Sequence, residues 1–269
     1  MSNPYVLDSR VQAAVAEAKQ ACQARALSDL VDGEGRQYVD FVMEGGGVLG
    51  ISLLGYAYVL EQVGVRFLGI GGTSAGSIVA LVLAALGTPD EPKAERAVAV
   101  LDAMPMMEFI DGDADARDFT RAMLDKAGLF KLSFKATQCI DNLRDDLGLH
   151  PGDAFLVWLT GVLKAAGVHT LADLEARLKT VPKGLRHRPD RSKSGRAVTG
   201  AEGEGVLVVV AADVTTETKV EFPRMAPLYW KNADRVNPAE FARASMSIPF
   251  FFHPYRRPVP QGAEARARW

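Results

Sequence analysis

The sequence predicts an α/β fold built on a mainly parallel sheet. Two patterns typical of buried strands, 38–43 and 63–72, are each followed by a helical pattern, at 51–62 and 77–86. Strands that alternate with helices in this way form βαβ units, whose two strands lie parallel in one sheet. The segment 206–223 contains two further apolar strands joined by a polar turn, which extend the predicted sheet.

The remaining segments give weaker patterns. Apolar residues at helical spacing predict a helix over 8–30. Two amphipathic helices are predicted in 150–168 and 170–181, whereas 182–205 has the composition of a loop. The sequence after Phe252 contains no recognisable element.

Composition limits the class of protein. Hydrophobic residues make up 48% of the 269, charged residues make up 24%, and the net charge is -2, so nothing indicates a nucleic-acid partner. Cys22 and Cys139 are too few for a disulfide framework. The longest apolar run, 78–86, is far shorter than the ~20 residues of a membrane-spanning helix, and no signal-peptide pattern is present. We expect a cytoplasmic protein, at most peripheral to a membrane, and predict no protein partner. A helical N-terminal extension is expected over 1–37 and one domain over 38–269.

The segment FVMEGGGVLG, which follows the first predicted strand, has two interpretations. Gly45, Gly47 and Gly50 match G-x-G-x-x-G, the pattern of a dinucleotide-binding loop. That site also needs an acidic residue about 20 positions farther on, at the end of the second strand. The second predicted strand ends without one, and Glu61 lies in the helix before it. We therefore favour the other interpretation, in which the glycines expose backbone N–H groups to an anion.

A second glycine motif lies between the second predicted strand and its helix. The residues GTSAG, 72–76, match G-x-S-x-G, a sharp turn that raises the Ser74 hydroxyl above the sheet. A phosphate-binding P-loop would need a lysine where Ser77 stands. The two loops are expected to meet at the carboxyl edge of the sheet, where the amides of Gly46, Gly47 and Ala75 point to one position. Such donors typically supply ~3–4 kcal/mol each to an oxyanion formed by attack on a carbonyl.

A serine nucleophile also needs a general base. The four histidines have no context typical of a catalytic triad, and we expect packing or surface roles for all of them; they are His150, His169, His187 and His253. The sequence therefore argues against an ordinary Ser-His-Asp hydrolase.

Four motifs, in order, resemble those of the patatin-like phospholipases. They are the glycine loop 45–50, the GTSAG turn, VVVAADVTTETKV (208–220) and FARASMSIPFFFHP (241–254). The resemblance covers about 38–254. It implies a three-layer α/β/α fold, lipid degradation by hydrolysis of fatty-acyl esters, and a Ser-Asp dyad without histidine, metal or cofactor. Phospholipase A and lysophospholipase activities are the expected types.

The resemblance also assigns roles to residues. Ser74 corresponds to the nucleophile that forms the acyl-enzyme. The amides of the oxyanion hole are those of Gly45, Gly46, Gly47 and Ala75. The remaining motif glycines are Gly50, Gly72 and Gly76.

The chain departs from the family pattern at two points. Leu49 stands where the family usually has arginine or lysine. The catalytic aspartate of the family lies in an Asp-Gly pair after the SIPFFF segment, but the Asp-Gly pairs here begin at Asp32 and Asp111, and no aspartate follows Phe252. We expect a C-terminally truncated chain. Asp213, at the end of a predicted strand, is the candidate substitute base, although the resemblance gives its position a structural role. The alternative to a hydrolase is an inactive lipid-binding remnant that lacks the dyad aspartate.

Two further segments have compositions that could suit binding. The acidic stretch 111–119 lacks the glycine and glutamate of a calcium loop, so it predicts a solvated turn and no metal site. The segment MPMMEF, 104–109, would suit an acyl-chain channel because methionine side chains adapt to irregular ligands. Core packing is the commoner role of such residues and is what we expect here.

Overall fold

Eight strands and ten helices are present in the computed structural model, which describes residues 3–23, 25–124, 144–189 and 195–257. The strands are β1 (Leu30–Val31), β2 (Gln37–Met43), β3 (Val65–Thr73), β4 (Gly148–His150), β5 (Arg186–His187), β6 (Val206–Asp213), β7 (Thr218–Phe222) and β8 (Phe250–Phe252). The helices are α1 (Pro4–Leu7), α2 (Ser9–Cys22), α3 (Gly50–Gln62), α4 (Ala75–Ala85), α5 (Ala94–Asp102), α6 (Ala114–Leu124), α7 (Asp153–Ala165), α8 (Leu171–Leu178), α9 (Ala226–Tyr229) and α10 (Ala239–Ser245).

A central sheet carries the fold. Its six strands lie in the order β5-β1-β2-β3-β6-β7. The middle strands β2, β3 and β6 run parallel to one another. The outer pairs are antiparallel: β1 pairs with β2 and with β5 on one side, and β7 pairs with β6 on the other. A separate small sheet pairs β4 with β8 in parallel. The predicted α/β class is confirmed, and the sheet is parallel in its middle, at β2, β3 and β6.

Helix α4 forms the centre of the core. Every residue from Ala75 to Ala85 is buried. A helix that is apolar on all sides is stable only inside a protein, which explains the long apolar run seen in the sequence. It packs against β3 and is surrounded by α3, α5, α7 and α10. This packing holds the N-terminus of α4 at the carboxyl edge of the sheet.

The predicted helix 8–30 is wrong in its second half. Helix α2 ends at Cys22, and Leu30–Val31 forms strand β1, which pairs antiparallel with the start of β2. The side-chain amide oxygen of Gln37 accepts the amides of Leu27 and Ser28 at 2.7 and 3.2 Å. These long-range hydrogen bonds hold the chain extended, so strand pairing overrides the local helical spacing.

The predicted loop 182–205 also contains regular structure. Strand β5 pairs antiparallel with β1 at the edge of the central sheet. A 3₁₀ turn follows at Gly200–Gly203. The sequence does not predict β5, because a strand of two residues is too short to show alternating apolar residues and forms by pairing with β1. Residues 190–194 of this loop, like Cys139, lie outside the described residues.

Lys93 is a buried cation at the start of α5. The carboxylate of Glu61 accepts the amides of Lys93 and Ala94 at 2.8 and 2.9 Å, and Lys93 Nζ donates to the carbonyl of Thr88 at 3.0 Å. Burial lowers the pKa of Lys93 to about 8, although the charge of Glu61 opposes this shift. Between pH 8 and the ordinary value of 10.5, the unfolded chain therefore binds more protons than the folded chain.

We expect the free energy of unfolding of the Lys93→Met variant to lack the pH dependence that the titration of Lys93 gives to the wild type. The cost of burying the Lys93 charge is fully present below pH 8 and is relieved as the pH rises towards 10.5. The free energy of unfolding of the wild type therefore rises by up to about 3 kcal/mol relative to that of the variant over this range. Urea unfolding of both proteins between pH 7 and pH 10.5 measures this difference. Parallel pH profiles for the two proteins would contradict the assignment.

Candidate active site

Ser74 is the single residue between β3 and α4. Its backbone has φ 50° and ψ −120°, a conformation that residues with a side chain rarely adopt. Such strain persists only where the surroundings enforce it, and it is common at functional sites. The turn is therefore the sharp strand-to-helix connection that the G-x-S-x-G pattern predicts.

The two glycines of this motif allow a very close backbone approach. A Cβ atom placed on Gly72 would lie 2.2 Å from the carbonyl oxygen of Gly76. A Cβ atom placed on Gly76 would lie 2.4 Å from the carbonyl oxygen of Met43 at the end of β2. Only glycine fits at either position, so the start of α4 touches the ends of both strands.

We call the turn at Ser74 between β3 and α4 the elbow. Hydrogen bonds hold it from both sides of Ser74. The Ser74 amide donates to Ser245 Oγ at 2.8 Å, and Ser245 Oγ donates to the carbonyl of Val210 at 2.6 Å. The Ser74 carbonyl accepts from Ser77 Oγ at 2.6 Å. Ser245 thus ties the elbow to the neighbouring strand β6. The sequence around Ser245 does not indicate this role, although the residue lies within one of the motifs that carry the resemblance.

The glycine loop after β2 contacts the serine directly. A Cβ atom placed on Gly45 would lie 3.0 Å from Ser74 Cβ and 3.6 Å from Ser74 Oγ. Gly47 has φ 57°, in the left-handed region that favours glycine, and starts a 3₁₀ turn that leads into α3. In the described residues, no hydrogen bond occupies the amides of Gly45 and Gly46. The predicted meeting of the two loops is thus what the structure shows.

Two helix N-termini converge behind this loop. A Cβ atom placed on Gly50, the first residue of α3, would lie 3.9 Å from the Cβ of Ala75, the first residue of α4. Amides in the first turn of a helix have no partner within the helix. They carry the positive end of the helix dipole and favour an anion. The Ala75 amide therefore lies in an electropositive position beside Ser74.

A small pocket opens next to the two loops. Its volume is about 230 Å³. Gly47, Gly50 and Ala75 form the side nearest Ser74. The rest of the wall is mainly apolar and consists of Tyr5, Ile51, Ile78, Leu101, Asp102, Met104 and Met106. Ser74 does not line this pocket itself, although the next residue along the chain, Ala75, does.

The segment 104–109, which we expect to be core, is core only in part, since Phe109 belongs to the main hydrophobic core and Met104 packs against it. Met106 lines the pocket and is 43% exposed, and Met107 is 61% exposed. Phe109, in contrast, is buried and packs edge-on against Phe155. The segment therefore has one anchoring ring and two methionine side chains that face solvent. Spacing alone does not distinguish these roles, because the segment is too short to show a period.

Asp213 lies at the end of β6, three residues beyond Val210, which pairs with Thr73. Its carboxylate accepts hydrogen bonds from the Tyr229 hydroxyl at 2.8 Å and from the amides of Thr215 and Thr216 at 2.8 and 3.2 Å. Burial opposes ionisation, but these donors hold the pKa of Asp213 below its ordinary value. They lower its basicity and fix the turn between β6 and β7.

The aspartates of the two Asp-Gly pairs have other partners. Asp32 is buried and binds the Arg36 guanidinium at 2.6 Å and the Tyr38 hydroxyl at 2.9 Å. Asp111 accepts the amides of Gly152 and Ala154 at the start of α7, at 3.0 and 2.9 Å. The stretch around Asp111 thus caps a helix. Its carboxylate is a structural ligand for backbone amides rather than part of a solvated turn.

The histidines have structural environments as well. His150 is buried, accepts the Gly112 amide at 2.9 Å and bonds with Thr120 Oγ1 at 2.9 Å. Burial lowers its pKa. His187 bonds with Glu202 at 2.9 Å. In the part of the chain that the structure describes, no histidine or carboxylate forms a hydrogen bond with the Ser74 hydroxyl, and no group of residues has the arrangement of a metal site.

We expect Ser245→Ala to disturb the elbow. The change leaves the Ser74 amide and the Val210 carbonyl without their shared partner, at a cost of about 1–3 kcal/mol in unfolding free energy. Displacement of the hydroxyl lowers any ester hydrolysis at Ser74 by roughly ten- to hundredfold. Steady-state kinetics and urea unfolding measure the two effects.

Ser247→Ala is the matched control. Ser247 Oγ also makes two hydrogen bonds, both with Arg243, and does not contact the elbow. We expect it to lower stability without a specific loss of activity. Equal losses of activity in both variants would refute a positioning role for Ser245.

Comparisons with known proteins identify the family of this chain. A family model described as Patatin-like phospholipase matches residues 41–263. The uncharacterized protein YqhO of Bacillus subtilis (strain 168) is 30% identical over 225 residues, which cover 84% of this chain and 60% of YqhO. VipD from Legionella pneumophila, known from a crystal structure, aligns at 16% identity with a TM-score of 0.38, over 93% of this chain and 50% of VipD. The chain thus spans less than two thirds of either relative. Because the family model covers most of the sequence, this chain belongs to the patatin-like phospholipase family.

Proposed function

We propose that the chain is a serine hydrolase of fatty-acyl esters in lipids. Ser74 Oγ attacks the ester carbonyl, its proton ends on the alcohol that leaves, and water then cleaves the acyl-enzyme to release the fatty acid and restore the Ser74 hydroxyl. The amides of Gly45, Gly46, Gly47 and Ala75 hold the oxyanion of each tetrahedral intermediate. Phospholipase A and lysophospholipase substrates fit this chemistry, and no cofactor enters it.

One observation carries the proposal. The backbone of Gly45 contacts Ser74, as the 3.0 Å separation of a Gly45 Cβ from the Ser74 Cβ indicates. One position therefore combines three features: a strained serine, loop amides without partners in the described residues, and two helix N-termini. Each feature alone is common in folded proteins, but together they supply a nucleophile and a preformed site for negative charge.

The general base decides between this proposal and its rival. Asp213 is held by three hydrogen-bond donors, which makes it a weak base. In the described residues no carboxylate, Asp213 included, forms a hydrogen bond with the Ser74 hydroxyl, and this observation favours the second candidate, an inactive lipid-binding protein. Hydrogen bonds to a nucleophile are often long in the absence of substrate, so the hydrolase remains our first choice.

We further propose that the protein works at a lipid surface. Leu49, where the family usually has a basic residue, is 61% exposed beside the glycine loop, and Met107 is exposed beside the pocket. Exposed apolar side chains around a pocket suit contact with lipid. The described residues contain no helix able to cross a membrane. We assign the hydrolase domain to 38–269, with 1–37 as an extension.

Release of fatty acid from esters separates the two candidates. We expect the wild type to hydrolyse dispersed monoacyl and diacyl esters, and Ser74→Ala to bind them without turnover. Gel filtration and circular dichroism confirm that both proteins are folded. A folded wild type that binds lipid but releases fatty acid no faster than Ser74→Ala would establish the lipid-binding alternative.

A further inference from the structure

Arg243 is a buried cation in α10, two residues before Ser245, and is only 2% exposed. Its guanidinium donates to the carbonyl of Pro151, to the carbonyl of His253 at 2.9 Å and to the hydroxyl of Ser247 at 2.7 Å. A buried guanidinium is stable only where such acceptors replace water. Arg243 therefore connects α10 to the segment that follows β4 and to the segment that follows β8.

The surroundings of Arg243 fit the shape of a guanidinium. Its Cζ lies over the rings of Phe252 and Tyr255, at 5.6 and 5.8 Å from the ring centres. Gly152 has φ 75°, and a Cβ atom placed there would lie 2.5 Å from Arg243 Nε. Glycine thus leaves free the space that the guanidinium fills. A planar group with several donors matches two carbonyls and two ring faces at once, which the ammonium group of lysine does not.

Arg243 and Ser245 hold α10 from nearly opposite sides, because residues two apart in a helix point about 200° apart around its axis. Ser245 Oγ accepts the Ser74 amide at 2.8 Å and donates to the Val210 carbonyl at 2.6 Å, which joins one side of α10 to the elbow and β6. Arg243 joins the other side to the segments after β4 and β8. A shift of α10 therefore moves the Ser245 hydroxyl relative to the Ser74 amide.

We propose that Arg243 is a positioning residue for Ser74 and that it acts through Ser245. This inference rests on the proposed function, since it takes Ser74 as the nucleophile. The guanidinium fixes α10 where the Ser245 hydroxyl accepts the Ser74 amide, and this bond helps to hold the strained backbone of the elbow. The bond from Arg243 to Ser247 joins residues only four apart and connects α10 to no other element, so Ser247 does not share this role.

Hydrogen exchange of the Ser74 amide tests this inference without any turnover. In the wild type, the bond to Ser245 protects this amide. In Arg243→Lys we expect its exchange rate, followed by NMR, to rise at least about tenfold, while the amides of the buried α4 residues 79–85 exchange as in the wild type. General loss of stability would instead raise the exchange rates of both sets of amides together.

Labelling of Ser74 by a fluorophosphonate probe connects the same change to reactivity. We expect the labelling rate constant to fall at least about tenfold in Arg243→Lys and in Gly152→Ala, whose methyl group displaces the guanidinium without removing it. Arg177→Lys is the matched control and keeps the wild-type rate. Arg177 also donates to a backbone carbonyl, that of Ala166 at 2.9 Å, but it joins α8 to the end of α7. Circular dichroism confirms that each variant is folded.

A double-mutant comparison shows whether Arg243 acts through Ser245. In the Ser245→Ala background, Arg243→Lys is expected to lower the labelling rate by less than about threefold more, because effects that pass through one contact are not additive. Additive losses would overturn the inference, as would a Ser74 amide that exchanges at the wild-type rate in both Arg243→Lys and Gly152→Ala. Faster exchange of this amide in the variants of a protein whose wild type is never labelled would sustain the positioning role and reject the proposed function.

Discussion

Replacing Gly45 with alanine is expected to lower kcat/KM for ester hydrolysis at least about hundredfold, the typical effect of losing an oxyanion donor. The new methyl group would lie 3.0 Å from Ser74 Cβ and 3.6 Å from its hydroxyl oxygen. The loop must move away from the serine, and its amides move with it. Gly45 is exposed, so the fold has room to absorb the change. Kinetics and thermal unfolding measure the two consequences.

Gly55→Ala is the matched control for this prediction. Gly55 lies within α3, and a Cβ atom placed there has no neighbour within 4 Å. We expect wild-type activity and slightly higher stability, because alanine is the better helix former. Full activity of Gly45→Ala would show that the loop does not hold the reacting carbonyl.

Replacing Gly76 with alanine is expected to cost several kcal/mol of unfolding free energy. The methyl group would lie 2.4 Å from the carbonyl oxygen of Met43 and 2.8 Å from that of Glu44. Met43 pairs with Gly72 in the parallel sheet, so its carbonyl cannot yield without breaking the β2–β3 ladder. Overpacking against fixed backbone lies at the upper end of mutational effects. Urea unfolding gives the difference in free energy.

Gly161→Ala provides the comparison for that variant. Gly161 is exposed within α7, and a Cβ atom placed there has open space around it. Its replacement is expected to stabilise the protein by about 0.5–1 kcal/mol. If Gly76→Ala were as stable as the wild type, the close approach of α4 to the ends of β2 and β3 would be incorrect.

The local part of the site is readable from the sequence. Glycines around Ser74, placed between a strand pattern and a helix pattern, specify the elbow because few backbones tolerate such a turn. The parallel order of β2 and β3 then brings the two loops to one sheet edge. Both steps use short-range patterns and one topological rule, which explains why they succeed.

The long-range contacts are not readable in the same way. Ser245 lies far from Ser74 along the chain, and a serine in an amphipathic helix gives no signal of its partner. Tyr5 and Asp102 belong to separate helices that meet only in the folded protein. Likewise, β1 is held between β2 and β5, and among the described strands β5 pairs only with β1. The spacing of residues in a single sequence predicts a helix or strand, but it does not predict which other elements that helix or strand contacts.

Covalent labelling of Ser74 by a fluorophosphonate probe tests the central claim most directly. The wild type and Ser74→Ala are incubated with the probe, digested, and mapped by mass spectrometry, with circular dichroism as the check on folding. We expect one phosphonylated peptide, containing Ser74, in the wild type and no adduct in the variant. A folded wild type that stays unlabelled, or a label that persists in Ser74→Ala, would contradict the assignment of Ser74 as an activated nucleophile.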